Sequence, residues 1–356
     1  VEGIGYRQWT RAEEIMEFAW RVDVARVGLD FCPSMSREAG IYAGILEANG
    51  FDVVMAGRDV EEVAQRDPVR RNLEKIDPAR VQELCDPIAQ ANLCNQMATG
   101  LNVTVGLGVG HDSLFARHSD ALVTCLIAKD AALGHNPVGA IYQADSYHRQ
   151  GLYGAHREGK ATRLQPELEE CPMPGESYDD PDDQRIAVAA DLIAFAGNPR
   201  WSRLEQTIEF ARKVNPAKVG ISACVGSSRE AATVTQVLEA NGFQVSSALR
   251  KTGAVPKETL GVLDSEKVRP GEPEMTCNPI VQAELLKWDE TNLNITMGQC
   301  VGHDSLIMKH SGTWITYLVP KDRVLAHNPA AALYNAGGRF SRALYEGERP
   351  NAWKRR

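Results

Sequence analysis

The chain carries 356 residues with 39 basic and 47 acidic side chains, a net charge of −8, and is 43% hydrophobic and 24% charged. That length suits two ordinary cores rather than one, and the balance is that of a globular protein, not a disordered or fibrous one. Basic residues form no run longer than Lys354-Arg355-Arg356 and no stretch approaches ~18 continuous apolar residues, so neither a nucleic-acid partner nor a membrane span is expected.

The first predicted element is an amphipathic helix over 10–22. The apolar run Val27–Phe31 reads as a strand ending at Cys32, and a helix from Ser36 through Asn49 closes on an Asn-Gly C-cap at Gly50. Strands follow at Phe51–Ala56, Leu101–Leu107 and Leu122–Ala128, separated by a helix over Pro87–Ala98 and a helical turn over Ser113–His118, and Pro137–Tyr142 opens another helix. Residues 143–192 form a connector whose stretch from Pro166 to Asp183 is rich in Glu, Asp and Pro and reads as acidic and exposed, before a helix over Gln184–Phe195.

The same order then recurs. Residues 8–58 align with 200–250 and 85–142 with 277–334 at a constant offset of 192, with 24 identities in 51 positions and 29 in 58, whereas 59–84 against 251–276 keeps 4 of 26. Strands alternating with helices imply a parallel sheet covered on both faces. The expected fold is therefore two tandem Rossmann- or flavodoxin-like three-layer α/β domains related by duplication and arranged as a pseudo-dimer. The first repeat spans 1–150, the linker and connecting helix 151–192, and the second repeat 193–356.

Open parallel sheets bind ligands beyond the carboxyl ends of their strands. Cys32 follows the first strand, Arg58 the second, Gly108–Asp112 the third and Lys129-Asp130 the fourth; Cys224, Arg250, Cys300–Asp304 and Lys321-Asp322 repeat the pattern. Cys85 and Cys277 each precede a helix N-terminus marked by Asp86-Pro87 or Asn278-Pro279, and His135 and His327 precede Asn-Pro in the same way. Helix N-termini stabilise anions and lower a nearby thiol's pKa, so this edge should favour thiolates, sulfide or a small anionic ligand.

Cys32, Cys85, Cys224, Cys277 and Cys300 are accordingly the candidate metal ligands or reactive thiols, against the alternative of small buried hydrophobes. Three thiols in the second repeat could hold an iron–sulfur cluster with one iron open, or join a histidine around zinc. His111, Asp112, His303 and Asp304 are candidate acid–base groups, with a turn-capping aspartate as the competing role. Arg58, Arg250, Lys129, Lys321, His135 and His327 are candidate contacts to an anionic ligand or cofactor, with ion pairs as the competing role for Arg and Lys. Cys94, Cys125 and Cys171 have no counterpart in the other repeat and read as core or surface, and no two cysteines form Cys-x-x-Cys.

At Cys-Asn-Pro-Ile-x-Gln-Ala (277–283), Gly-x-Cys-x-Gly-His-Asp-Ser-Leu (298–306) and Lys-Asp-Arg-Val-Leu-Ala-His-Asn-Pro (321–329) the sequence resembles the family called domain of unknown function 1847. Its members are generally described as metal-binding and occur largely in anaerobic prokaryotes. The resemblance implies a metal or iron–sulfur site, names no reaction, and carries the family's cysteines onto Cys224, Cys277 and Cys300 and onto Cys32 and Cys85. It also implies a cysteine near the end of the second strand, where this chain has Arg58 and Arg250, and a single copy where this chain has two.

The leading expectation is an iron–sulfur protein with its better site in the second repeat, serving redox or Lewis-acid chemistry. Its competitors are a cofactor-free enzyme using a helix-activated thiolate, Cys85 or Cys277, with a nearby histidine as base, and a non-catalytic subunit bound to a redox partner or larger complex. The chain begins at Val1 with no initiator Met and no basic-then-apolar run, as expected if a leader was removed or the first residues are missing; a cytoplasmic protein is expected, with export behind a removed leader as the alternative.

Overall fold

The computed structural model describes residues 3–57, 86–153, 178–249, 252–253, 255–341 and 344–345. The first half runs α1 (Arg11–Arg21), β1 (Arg26–Phe31), α2 (Ser36–Ala48), β2 (Asp52–Ala56), α3 (Pro87–Gln96), β3 (Leu101–Leu107), α4 (His111–His118) and β4 (Leu122–Ala128). After α5 (Pro181–Gly197), the second half repeats it as α6 (Arg203–Val214), β5 (Val219–Ala223), α7 (Ser228–Ala240), β6 (Val245–Leu249), α8 (Pro279–Trp288), β7 (Leu293–Met297), α9 (His303–His310) and β8 (Trp314–Val319).

Local chemistry sets the helix starts. Thr10 and Ser202 form capping boxes with Glu13 and Glu205, and Asp86 and Asn278 cap α3 and α8 with proline in the first turn. Asp180 caps α5 in the same way, so the end of the acidic stretch is a helix N-terminal turn rather than an exposed connector. Asp182 and Asp183 lie where the helix dipole favours negative charge, and Asp183 is buried.

Each half builds one four-stranded sheet, β2-β1-β3-β4 and β6-β5-β7-β8, parallel throughout. The central strands β1, β3, β5 and β7 are buried along almost their whole length and helices flank the sheets, the expected duplicated three-layer α/β architecture. From β1 the chain moves to β2 on one side and later to β3 on the other, so a switch point falls between β1 and β3, and between β5 and β7. Cys32 and Cys224 lie at the carboxyl ends of the strands bordering those points.

The cores of the halves interpenetrate. Val138, Ile141 and Leu152 pack into the core of the second sheet, while Val301, Ala330 and Leu333 pack into that of the first. Close approach demands glycine where the halves meet: a Cβ on Gly110 would stand 2.6 Å from the Phe210 ring, and one on Gly302 2.5 Å from the Phe18 ring. Both have positive φ, at 88° and 84°, as the turn into α4 or α9 requires. Among the described residues no helix is long and apolar enough to cross a membrane.

Candidate functional site

In the second half, Cys224 ends β5 and Cys300 lies in the turn between β7 and α9. That turn begins with a register shift of β7 against β8 and with Gly298 at φ 62°, where a Cβ would fall 2.0 Å from the Ser227 hydroxyl. Lys321, just past β8, donates to Cys224 Sγ at 2.8 Å and lies 3.6 Å from Cys300 Sγ. Arg323 Nη2 approaches Cys300 Sγ at 3.4 Å. Cys224, Cys277 and Cys300 are 1%, 5% and 6% exposed, so these contacts are made out of bulk water, where charge pairing is strong.

Electrostatics ties the third thiol to the other two. Burial pulls His303 down, but its interactions with Cys277 and Cys300 outweigh burial and push it up to about 10. Lys321 is likewise lowered by burial and raised overall by Cys300 and Cys224. Lys321, Arg323 and His303 thus lie among the three thiols. Glu14 reaches this site from the first half: its Oε1 lies 3.4 Å from Arg323 Nη1, and burial reinforced by Cys300 pushes its carboxyl up to about 8.

The first half carries a reduced version. Lys129 donates to Cys32 Sγ at 3.0 Å, and Ser34 Oγ is 3.3 Å from the same sulfur. Gly108 stands where the second half has Cys300. His111 turns instead to Asp191 of α5, Nε2 to Oδ1 at 2.9 Å; burial lowers this histidine, and Asp191 raises it overall. Arg58, Cys85 and Arg250 lie outside the described residues.

Asp112 and Asp304 point away from the thiols into the interface between the halves. Arg203 Nη2 donates to Asp112 Oδ2 at 2.8 Å, and Arg11 Nη2 to Asp304 Oδ2 at 2.5 Å. Asp130 and Asp322 accept from the backbone N–H groups of Arg203 and Arg11 at 2.8 and 2.9 Å. Each arginine therefore binds the strand-end aspartates of the opposite half, and both are fully buried. His135 and His327 adopt left-handed backbones at φ 63° and 64° and accept at Nδ1 from Asp130 N–H and Asp322 N–H, both at 3.3 Å. Burial lowers both, His327 to about 4.

Sequence reading gave no role to Arg11, Arg203, Glu14, Arg323 or Asp191. Arg11 and Arg203 were visible as one position retained in both repeats, but nothing in the sequence says that each crosses to the other half. Asp30, within an apolar strand, also went unmarked: it is fully buried, burial raises it well above the carboxylate range, and both its oxygens lack partners among the described residues. Gln90 Oε1 lacks one too, where its counterpart Gln282 Oε1 accepts from Gln299.

As arranged, the thiols do not form a metal's ligand set: among the described residues no three His, Cys, Asp or Glu side chains group to hold an ion, and Lys321 occupies two of the sulfurs by hydrogen bonding.

Fold and site together define a duplicated parallel α/β protein with a cysteine–lysine pair at the strand ends of each half. The chain belongs to the family described as Protein of unknown function (DUF1847), which matches residues 1–126 and 165–318. The uncharacterized protein MJ0455 of Methanocaldococcus jannaschii is 38% identical over 159 residues, 45% of this chain and 80% of that protein. Among solved structures, a mitochondrial ornithine carbamoyltransferase from Coccidioides immitis covers 96% of each chain at 10% identity and TM-score 0.20. The ornithine carbamoyltransferase of Burkholderia thailandensis E264 covers 95% of this chain and 94% of its own, also at 10% identity and TM-score 0.20. Similarity at that level carries no argument about activity.

Proposed function

We propose that the second half houses a thiolate site in which Cys224, Cys277 and Cys300 act as nucleophiles or soft ligands, activated by Lys321, Arg323 and His303. The observation that supports this most directly is the 2.8 Å contact from the Lys321 ammonium to Cys224 Sγ in a buried setting. A thiol next to a cation ionises more readily, and the thiolate is the reactive form. Alkylation with iodoacetamide at pH 7, followed residue by residue by peptide mass mapping, tests it. The three thiols should react at least about tenfold faster than the buried Cys94, whose thiol burial pushes up to about 12. Equal rates would remove the proposal.

An iron–sulfur cluster or zinc on the same thiols, supporting redox or Lewis-acid chemistry, is the second reading. What favours it is that Cys224 and Cys300 share Lys321 while Cys277 and Cys300 share His303. It requires Lys321 and His303 to release the sulfurs. Anaerobic purification with iron, acid-labile sulfide and zinc analysis, on wild type and Cys277→Ser, decides it: stoichiometric metal lost in the variant supports this reading, and a colourless, metal-free protein with fast thiols supports the first.

A further inference from the structure

The two strand-end sites differ in a coordinated way. Where the second half has Cys300 and Arg323, the first has Gly108 and Ala131, and the repeat position of Glu14 is held by Gln206, whose amide donates to the Trp201 carbonyl at 3.0 Å. These three differences are one structural unit, because Glu14 Oε1 contacts Arg323 Nη1 at 3.4 Å and Arg323 Nη2 contacts Cys300 Sγ at 3.4 Å. The Tyr6 ring, also from the first half, lies 4.9 Å from the Arg323 guanidinium carbon. A carboxyl on one edge and an aromatic face over the plane leave a guanidinium few alternative positions.

We infer that this clamp makes the second site composite, with Glu14 and Tyr6 of the first half holding Arg323 against Cys300, and that its ligand is a small anionic molecule, a carboxylate or oxyanion, held beside the Cys300 sulfur. The inference rests on the thiolate reading above and adds the ligand's charge and the residue that selects it. Arg323 presents planar N–H donors suited to carboxylate and oxyanion geometry, and Lys321 adds a second cation 3.6 Å from the same sulfur. The first half, with Ala131 in place of the arginine and Gly108 in place of the cysteine, does not carry this clamp.

Iodoacetate and iodoacetamide test it, since both deliver the same reaction with different charge: the thiolate sulfur displaces iodide, an S–C bond forms, and iodide leaves with the electron pair of the C–I bond. The quantity measured is the rate with iodoacetate divided by that with iodoacetamide at Cys300, relative to the same ratio for free glutathione. Wild type should exceed glutathione. Arg323→Ala should lower the ratio by about tenfold, the weight of one close charge in a partly shielded site, and Glu14→Gln by a smaller factor, through a looser Arg323. Both variants install the residue the other half already carries, so the fold accommodates them. A ratio unchanged in Arg323→Ala, or a wild-type ratio below that of glutathione, overturns the inference while leaving the thiolate site standing. Should iodoacetamide itself modify Cys300 no faster than Cys94, the thiolate reading falls and the inference with it.

Discussion

Arg11 and Asp304 are 293 positions apart in the chain and 2.5 Å apart in the fold, fully buried where the halves meet. Arg11 also donates to the carbonyls of Cys125, Gln299 and Lys321, so one side chain stitches β4 to the turns that carry the second site. Removing one partner of a buried pair strands the other's charge, so Arg11→Ala should cost about 3–5 kcal/mol. Arg11→Lys should recover little, because a point charge cannot reproduce the fork. Denaturant unfolding measures both, and Arg203→Ala should behave alike through Asp112.

Lys321→Met keeps the volume of the side chain and removes its charge. Iodoacetamide modification of Cys224 at pH 7 should slow by at least about tenfold, because the sulfur loses its ammonium partner at 2.8 Å. Lys129→Met should do the same at Cys32, which faces the equivalent ammonium at 3.0 Å.

His327 is neutral in the fold and is held down to about 4, first by burial and then by Lys321. The unfolded chain binds a proton at about 6.5, so between that pH and about 4 it holds more protons than the native state, and stability falls with acidification. The loss from this group should approach about 3 kcal/mol. His327→Asn should flatten that limb in unfolding titrations at pH 7, 5.5 and 4.5; an unchanged limb would assign the acid sensitivity elsewhere.

The first half can be asked to become the second. A Cβ at Gly108 would meet His111 Nδ1 at 3.1 Å, a contact a small shift relieves, so Gly108→Cys should fold and place its thiol against this ring. Combined with Ala131→Arg and Gln206→Glu, it should give a thiol that alkylates faster than in Gly108→Cys alone. Peptide mapping of the two variants compares the rates; equal rates would mean that the arginine and glutamate do not act on the sulfur.

The strands and most helix starts were legible because periodicity and caps are local properties: the runs ending at Cys32 and Cys224 and the Asp86-Pro87 and Asn278-Pro279 signals all appear in the fold. Comparing the repeats also marked the strand-end residues. What it could not give was direction. Asp112 sits beside His111 in sequence, yet its carboxylate leaves the site for Arg203 of the opposite half, a relationship 91 residues long. Asp191 had no signal at all, since α5 has no counterpart within the aligned repeats. The charge of His303 depends on two thiols brought in from different loops.

Two identical chains paired about a symmetry axis must carry the same residues in both of their sites, so any specialisation of one is imposed on the other. Joining the halves in a single polypeptide removes that constraint. Glu14 and Gln206, or Cys300 and Gly108, occupy matching places without having to match. The cross-braced interface then permits a division of labour, in which selection can act on one half for chemistry and on the other for the scaffold that holds it.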